Sequence, residues 1–224
     1  MSETIRLFTA IEIPQAQFLA LKNLSGHFPD ANILPGGKAH ITLRFFGEFE
    51  KSRLQDLSAA LAKVKANPFE IHFSSLGTFK MSRSLVLWAG IRDNPALTSL
   101  YGLANEALHQ GLGLISPASP YRPHVTLARV KQRDAKKIAR ALGSGPKNLG
   151  PQDSDPRVPG QQELGFKELG PQELGPQDSG PQAPGPPVLA PPFTVTEFGL
   201  YQSILGSGPA RHVLLNAFPL QISA

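Results

Sequence analysis

With 224 residues, 41% of them hydrophobic, the chain can bury the core of one ordinary domain. Zero cysteines exclude a disulfide framework, a thiolate nucleophile and any zinc site that uses sulfur. The formal charge of +5 is uneven: residues 144–192 hold three cations against six carboxylates, so the remainder carries +8, which suits a polyanionic partner as well as it suits simple solubility.

No run of eighteen apolar residues occurs, and the opening MSETIRLFTAIEIP is too short and too acidic for a signal peptide. The expectation is a cytoplasmic protein with no membrane partner. Ile5 to Ile13 reads as a strand ended by Pro14, and Gln15 to Leu24 as a helix with Phe18, Leu21 and Leu24 at helical spacing. His40 to Phe46 alternates like a strand, and Ser52 to Val64 carries Leu54, Leu57, Leu61 and Val64 on one helical face.

Phe69 to Leu76 and Ser84 to Ile91 follow as strands about a Gly-containing loop. Pro95 to Leu108 is a helix behind Asn94, whose side chain is placed to cap it with Pro95 in the first turn. A strand from Pro123 to Val130 and a helix from Asp134 to Leu142 come next. Phe193 to Leu205 and His212 to Phe218 close the chain as strands. This order predicts an α+β fold in which residues 1–143 and 193–224 together form one domain of two similar lobes with a cleft between them.

Between Gly145 and Pro192 glycine recurs at 145, 150, 160, 165, 170, 175, 180 and 185, a five-residue period broken only by Asp155. A period of five builds neither a helical nor a strand face, and proline in most units blocks both ladders. Few apolar groups remain to offset the entropy of ordering, so residues 144–192 are expected to be a disordered Pro/Gly-rich insertion.

The chemistry sits in two tetrapeptides of one pattern, His40-Ile41-Thr42-Leu43 and His124-Val125-Thr126-Leu127. Residues i and i+2 of a strand project from one face, so each motif offers an imidazole beside a hydroxyl while its apolar residues face the core. Imidazoles titrate near neutrality, so one can serve as base and another as acid on opposite sides of a phosphorus. The threonines can donate hydrogen bonds to the non-bridging oxygens. By strand parity Arg44 accompanies His40 and Arg122 accompanies His124, whereas Arg129 reaches the site only where the strand bends or ends. His27, His72, His109 and His212 belong to no such pair and read as structural.

These stretches, with RLFTAIEIP, HITLRFFGE, FSSLGTF, YRPHVTLAR and FTVTEFGLYQSILGSGPARHVLL, resemble the two-histidine (2H) phosphoesterase superfamily, and within it the RNA 2′,3′-cyclic phosphodiesterases, also described as 2′-5′ RNA ligases. The resemblance implies two lobes of antiparallel sheet with outer helices around a central cleft. It implies hydrolysis of RNA 2′,3′-cyclic phosphate ends to 2′-phosphomonoesters, with 2′-5′ ligation as the reverse reaction. His40 becomes the proton donor, His124 the proton acceptor, and Thr42 and Thr126 their companions. Arg129 looks like the family's phosphate-contacting arginine, with Arg44 and Arg122 as weaker candidates. Phe8 and Phe46 are candidates to line the cleft and stack on a base. No metal or organic cofactor is implied, and the expected partner is RNA with a cyclic phosphate end, tRNA fragments among them, acted on by a monomer.

Three rivals remain open. A cyclic phosphodiesterase of small nucleotides shares every residue named. A non-catalytic RNA-binding module would keep its function in His40→Ala and His124→Ala. A metallohydrolase lacks any H-E-x-x-H or similar cluster.

Overall fold

A computed structural model describes residues 3–36, 38–81, 84–143 and 189–221. The strands are β1 (Thr4–Glu12), β2 (His40–Glu50), β3 (Phe69–Ile71), β4 (Phe73–Lys80), β5 (Ser84–Ile91), β6 (His124–Lys131), β7 (Phe193–Val195), β8 (Glu197–Ile204) and β9 (Arg211–Pro219). The helices are α1 (Gln15–Lys22), α2 (Leu54–Leu61), α3 (Pro95–Leu112) and α4 (Ala135–Gly143).

Seven strands form one sheet in the order β4-β5-β6-β2-β1-β8-β9, and β3 pairs with β7 in a second, two-stranded sheet. Every strand pair is antiparallel. The central pair, β2 with β6, is joined by a single registered partnership, Ile41 with Val125. The sheet therefore divides into a β4-β5-β6 half and a β2-β1-β8-β9 half that splay apart from that point, which is the form the two expected lobes take.

One face of the sheet carries the core. Leu7, Ile11, Ile41, Leu43, Leu85, Leu87, Val125 and Leu127 lie there with Leu21, Leu57, Leu61, Leu97, Leu100 and Leu108 of the helices, all 8% exposed or less. Fully burying one such side chain stabilises the fold by about 1.5–3 kcal/mol. Helices α2 and α3 approach closely where Gly111 meets Ala60; a Cβ on Gly111 would stand 2.8 Å from the Ala60 methyl. On the opposite face a small cluster of Phe8, Ala10 and Tyr201 is joined by Phe45.

Asn94 caps α3 as its position predicts: its Oδ1 accepts from the Leu97 N–H at 3.0 Å, and its amide also donates to the Glu70 carbonyl at 2.7 Å. The helix continues one turn beyond Leu108 and stops at Gly113, whose φ of 70° suits a left-handed cap. Two expected single strands are each divided. The run 69–76 breaks at His72, whose carbonyl accepts from the Arg92 N–H at 2.8 Å, sending β3 and β4 to different sheets. The run 193–205 breaks at Thr196, whose carbonyl accepts from the Leu220 N–H at 2.7 Å.

Most of the expected disordered insertion, residues 144–188, lies outside the described residues. Its last residues belong to the body: Ala190 is buried, Leu189 packs on the core, and the Pro192 carbonyl accepts from the Gln17 side chain at 3.0 Å.

Candidate active site

The antiparallel partnership of Ile41 with Val125, extended by one residue each way, sets His40 opposite Thr126 and Thr42 opposite His124. Ile41 and Val125 are fully buried in the core, so the two histidines and two threonines share the other face. Each motif is also paired on its outer side, His40 with Glu12 and Thr42 with Ala10 on β1, His124 with Gly90 and Thr126 with Trp88 on β5.

Both motifs end in a β-bulge at their leucine. Thr42 faces Ala10 and Arg44 faces Thr9, leaving Leu43 extra; Thr126 faces Trp88 and Ala128 faces Leu87, leaving Leu127 extra. An extra residue reverses the alternation beyond it. Arg44 therefore follows Leu43 to the helix face, contrary to the parity reading, while Arg129 returns to the face of His124 and Thr126 and is exposed there. Arg44 is anchored by Nη1 to Asn105 Oδ1 at 2.7 Å and by Nη2 to the Ile115 carbonyl at 2.8 Å. Desolvation at this half-buried position lowers its pKa from the usual arginine value.

The two imidazoles have unlike surroundings. His124 stands edge to face on Phe79, with ring centroids 5.0 Å apart, and 6.4 Å from Trp88, which itself stacks on Phe79 at 5.2 Å. Gly77 makes room for the indole, since a Cβ there would lie 2.1 Å from Trp88 Cζ2. His124 Nδ1 is 2.9 Å from the Arg122 carbonyl, which can only accept, so Nδ1 carries a proton and, when the ring is neutral, the lone pair is on Nε2.

His40 rests 5.0 Å from the Phe8 ring and 4.9 Å from His212, which meets it edge to face and also touches Phe8 at 4.9 Å. Glu12, its cross-strand neighbour, is paired with Lys38 at 2.8 Å and accepts from the Tyr201 hydroxyl at 3.4 Å. Burial lowers the His212 pKa. The same cause, followed by the nearby Glu12 charge, raises that of Tyr201.

Where β2 and β6 diverge beyond Thr42 and His124, a cavity of about 630 Å³ opens. Arg6, Arg44, Phe45, Phe46, Tyr121 and Arg122 are among its walls; His40 and Thr126 are not, and His40 lies instead in a tight crevice with Phe8, Glu12, Lys38, Tyr201 and His212. Tyr121 stacks on Tyr101 at 4.1 Å and donates to the Thr42 carbonyl at 3.3 Å, tying the cavity wall to the motif strand.

The sequence profile of the 2′-5′ RNA ligase superfamily matches residues 13–156. The chain belongs to that superfamily. Its similarity to characterised members is moderate. The RNA 2′,3′-cyclic phosphodiesterase of Escherichia coli K12 is 31% identical over 134 residues, 58% of this chain and 74% of that protein. The enzyme of the same name from Methanocaldococcus jannaschii is 30% identical over 140 residues, 59% and 76% of the two chains. That from Geobacillus stearothermophilus is 34% identical over 110 residues, 48% of this chain, which spans only 35% of that longer protein. In fold the chain is similar to E. coli LigT, with a TM-score of 0.63 at 20% identity for the apo form and 0.64 at 23% for the 3′-AMP complex, covering 98% and 97% of this chain and 99% of LigT.

Within this 2′-5′ RNA ligase superfamily member, the aromatic side chains of the cleft differ from the sequence expectation. Phe8 is 4% exposed and underlies His40, closed to a stacking base. Phe46 borders the cavity but packs on the main core and on Phe49 at 5.9 Å, because a second bulge, between the Leu7–Gly47 and Phe8–Phe45 pairs, displaces it. Phe45 takes the cleft side instead. His212, read from the sequence as structural, is half-buried against Phe8 and His40, a neighbour that RHVLL, with no threonine two residues on, does not announce. Among the described residues no three His, Cys, Asp or Glu side chains converge as metal ligands, and no helix is long and apolar enough to cross a membrane.

Proposed function

We propose that this chain hydrolyses 2′,3′-cyclic phosphates at RNA ends, leaving a 2′-phosphomonoester. The observation that carries the reading is the register at Ile41 and Val125, which sets two imidazoles and two hydroxyls on one face of the sheet's centre. His124 Nε2 takes the proton of a water whose oxygen attacks phosphorus. The bond from phosphorus to O3′ breaks opposite, and His40 gives its proton to the departing O3′. Thr42 and Thr126 donate to the non-bridging oxygens, and Arg129, on the same face, offsets their charge.

One contact supports the base role. The Arg122 carbonyl holds the His124 proton on Nδ1, which leaves Nε2 of the neutral ring to accept, and it stabilises the imidazolium formed after proton capture. With a 5′-hydroxyl in place of water the same groups would form a 2′-5′ linkage. The +8 borne outside residues 144–192 favours RNA, including tRNA fragments, over uncharged partners.

The test is incubation of the purified protein, chelator present, with a short RNA ending in a 2′,3′-cyclic phosphate, beside His40→Ala and His124→Ala. A 2′-phosphate from the wild type, with rates at least about 10²-fold lower in both variants, is expected. Equal turnover by the variants, or none by the wild type, refutes the reading and leaves an RNA-binding module.

A further inference from the structure

The bulge at Leu127 turns two cations of β6, Arg129 and Lys131, onto the motif face. They alternate with Ala128 and Val130, which are buried in the main core, so both share the face of His124 and Thr126, and both are exposed there. Their cross-strand neighbours on β5 are Val86 and Ser84. Ser84 is half-buried, and its hydroxyl is a donor beside the Lys131 ammonium.

Two residues of strand set Arg129 and Lys131 about 6.5–7 Å apart, a spacing comparable to that of successive phosphates along an RNA strand. Among the described residues no carboxylate pairs with Lys131, whereas the next cations along the chain are engaged, Arg133 with Asp134 at 3.6 Å and Lys137 with Asp30 at 2.9 Å.

The polarity of the reaction gives the direction of the RNA. His40, which serves the departing O3′, stands opposite Thr126, and β6 runs on from there to Arg129 and Lys131. The cavity of about 630 Å³ opens the other way, beyond Thr42 and His124. In a ribose 2′,3′-cyclic phosphate, O3′ is joined through C3′ and C4′ to C5′, which carries the preceding phosphate. That phosphate therefore leaves the reacting centre on the His40 side, along the line of Arg129 and Lys131, while C2′ and C1′ lead the base away from it.

Given the phosphodiesterase reading, we propose that Lys131, with the Ser84 hydroxyl beside it, is a subsite for the internucleotide phosphate on the 5′ side of the cyclic end. Its ligand is a singly charged phosphodiester, and it makes the site favour an RNA end over a lone nucleoside cyclic phosphate.

The experiment compares kcat/KM for adenylyl-adenosine 2′,3′-cyclic phosphate and for its analogue with a neutral methylphosphonate linkage, in the wild type, Lys131→Ala and Lys131→Arg. The wild type should favour the charged linkage about fivefold, through KM, the worth of one well-placed exposed ion pair. Lys131→Arg should keep that ratio and Lys131→Ala should lose it. A wild type indifferent to the linkage overturns the subsite, as does an unchanged ratio in Lys131→Ala, whether both rates are kept or both fall together. Turnover of neither substrate by the wild type overturns the phosphodiesterase reading and the subsite with it.

Discussion

Gly77→Ala tests the support of His124 from a distance. The added Cβ would stand 2.1 Å from Trp88 Cζ2, 2.5 Å from Cη2 and 2.7 Å from Cε2. Ordinary carbon contacts are about 3.5–4.0 Å, so the indole must retreat by roughly 1.5 Å. It has little room, because Phe79 stacks on it and Gly90 lies beneath, where a Cβ would be 3.0 Å from Trp88 Cζ3. Overpacking of this kind costs about 1–3 kcal/mol. For a domain of this size that is about 3–9 °C in Tm. Phe79 and Trp88 are the rings against which His124 rests, so their shift displaces the imidazole, and a misplacement near 1 Å can lower turnover by about 10²-fold. The measurement is kcat on an RNA cyclic phosphate together with thermal unfolding. Trp88→Leu in the same chain should restore much of the lost Tm. A Gly77→Ala protein with wild-type kcat and Tm would refute the account of how His124 is held.

Thr42→Val and Thr126→Val keep the side-chain shape and remove a donor; each should lower kcat by about 10²-fold, read from initial rates, and a smaller effect on kcat than on KM would place the hydroxyls outside the transition state. Since burial holds the His212 pKa below its unfolded value of 6.5, the unfolded chain takes up its proton first, and stability is lost as pH falls below 6.5 toward the folded pKa. His212→Phe should therefore lose less Tm than the wild type between pH 7 and pH 5, and parallel curves would count against the burial argument. Asn94→Ala removes the cap of α3 and should cost about 1 kcal/mol in denaturant unfolding, with kcat retained.

The strand signals that were legible are those with a local cause. Alternation in HITL and HVTL marks strands with the histidine and threonine on one face, and Asn94-Pro95 marks the start of α3, because side-chain direction and capping depend only on the next few residues. The division of 69–76 between two sheets was not legible, since Phe69 to Ile71 and Phe73 to Lys80 have equally apolar patterns and differ only in which strand lies beside them.

The site divides in the same way. The sequence by itself determined the chemistry, two imidazoles and two hydroxyls in a repeated pattern, together with a basic surround. Tertiary structure decided which neighbours serve it. A bulge belongs to a pair of strands and not to one, so the displacement of Arg44 and the return of Arg129 and Phe45 to the cleft depend on pairings between residues tens of positions apart. His212 comes to His40 from across the insertion for the same reason: the chain of antiparallel partners β2-β1-β8-β9 brings together residues that no local pattern connects.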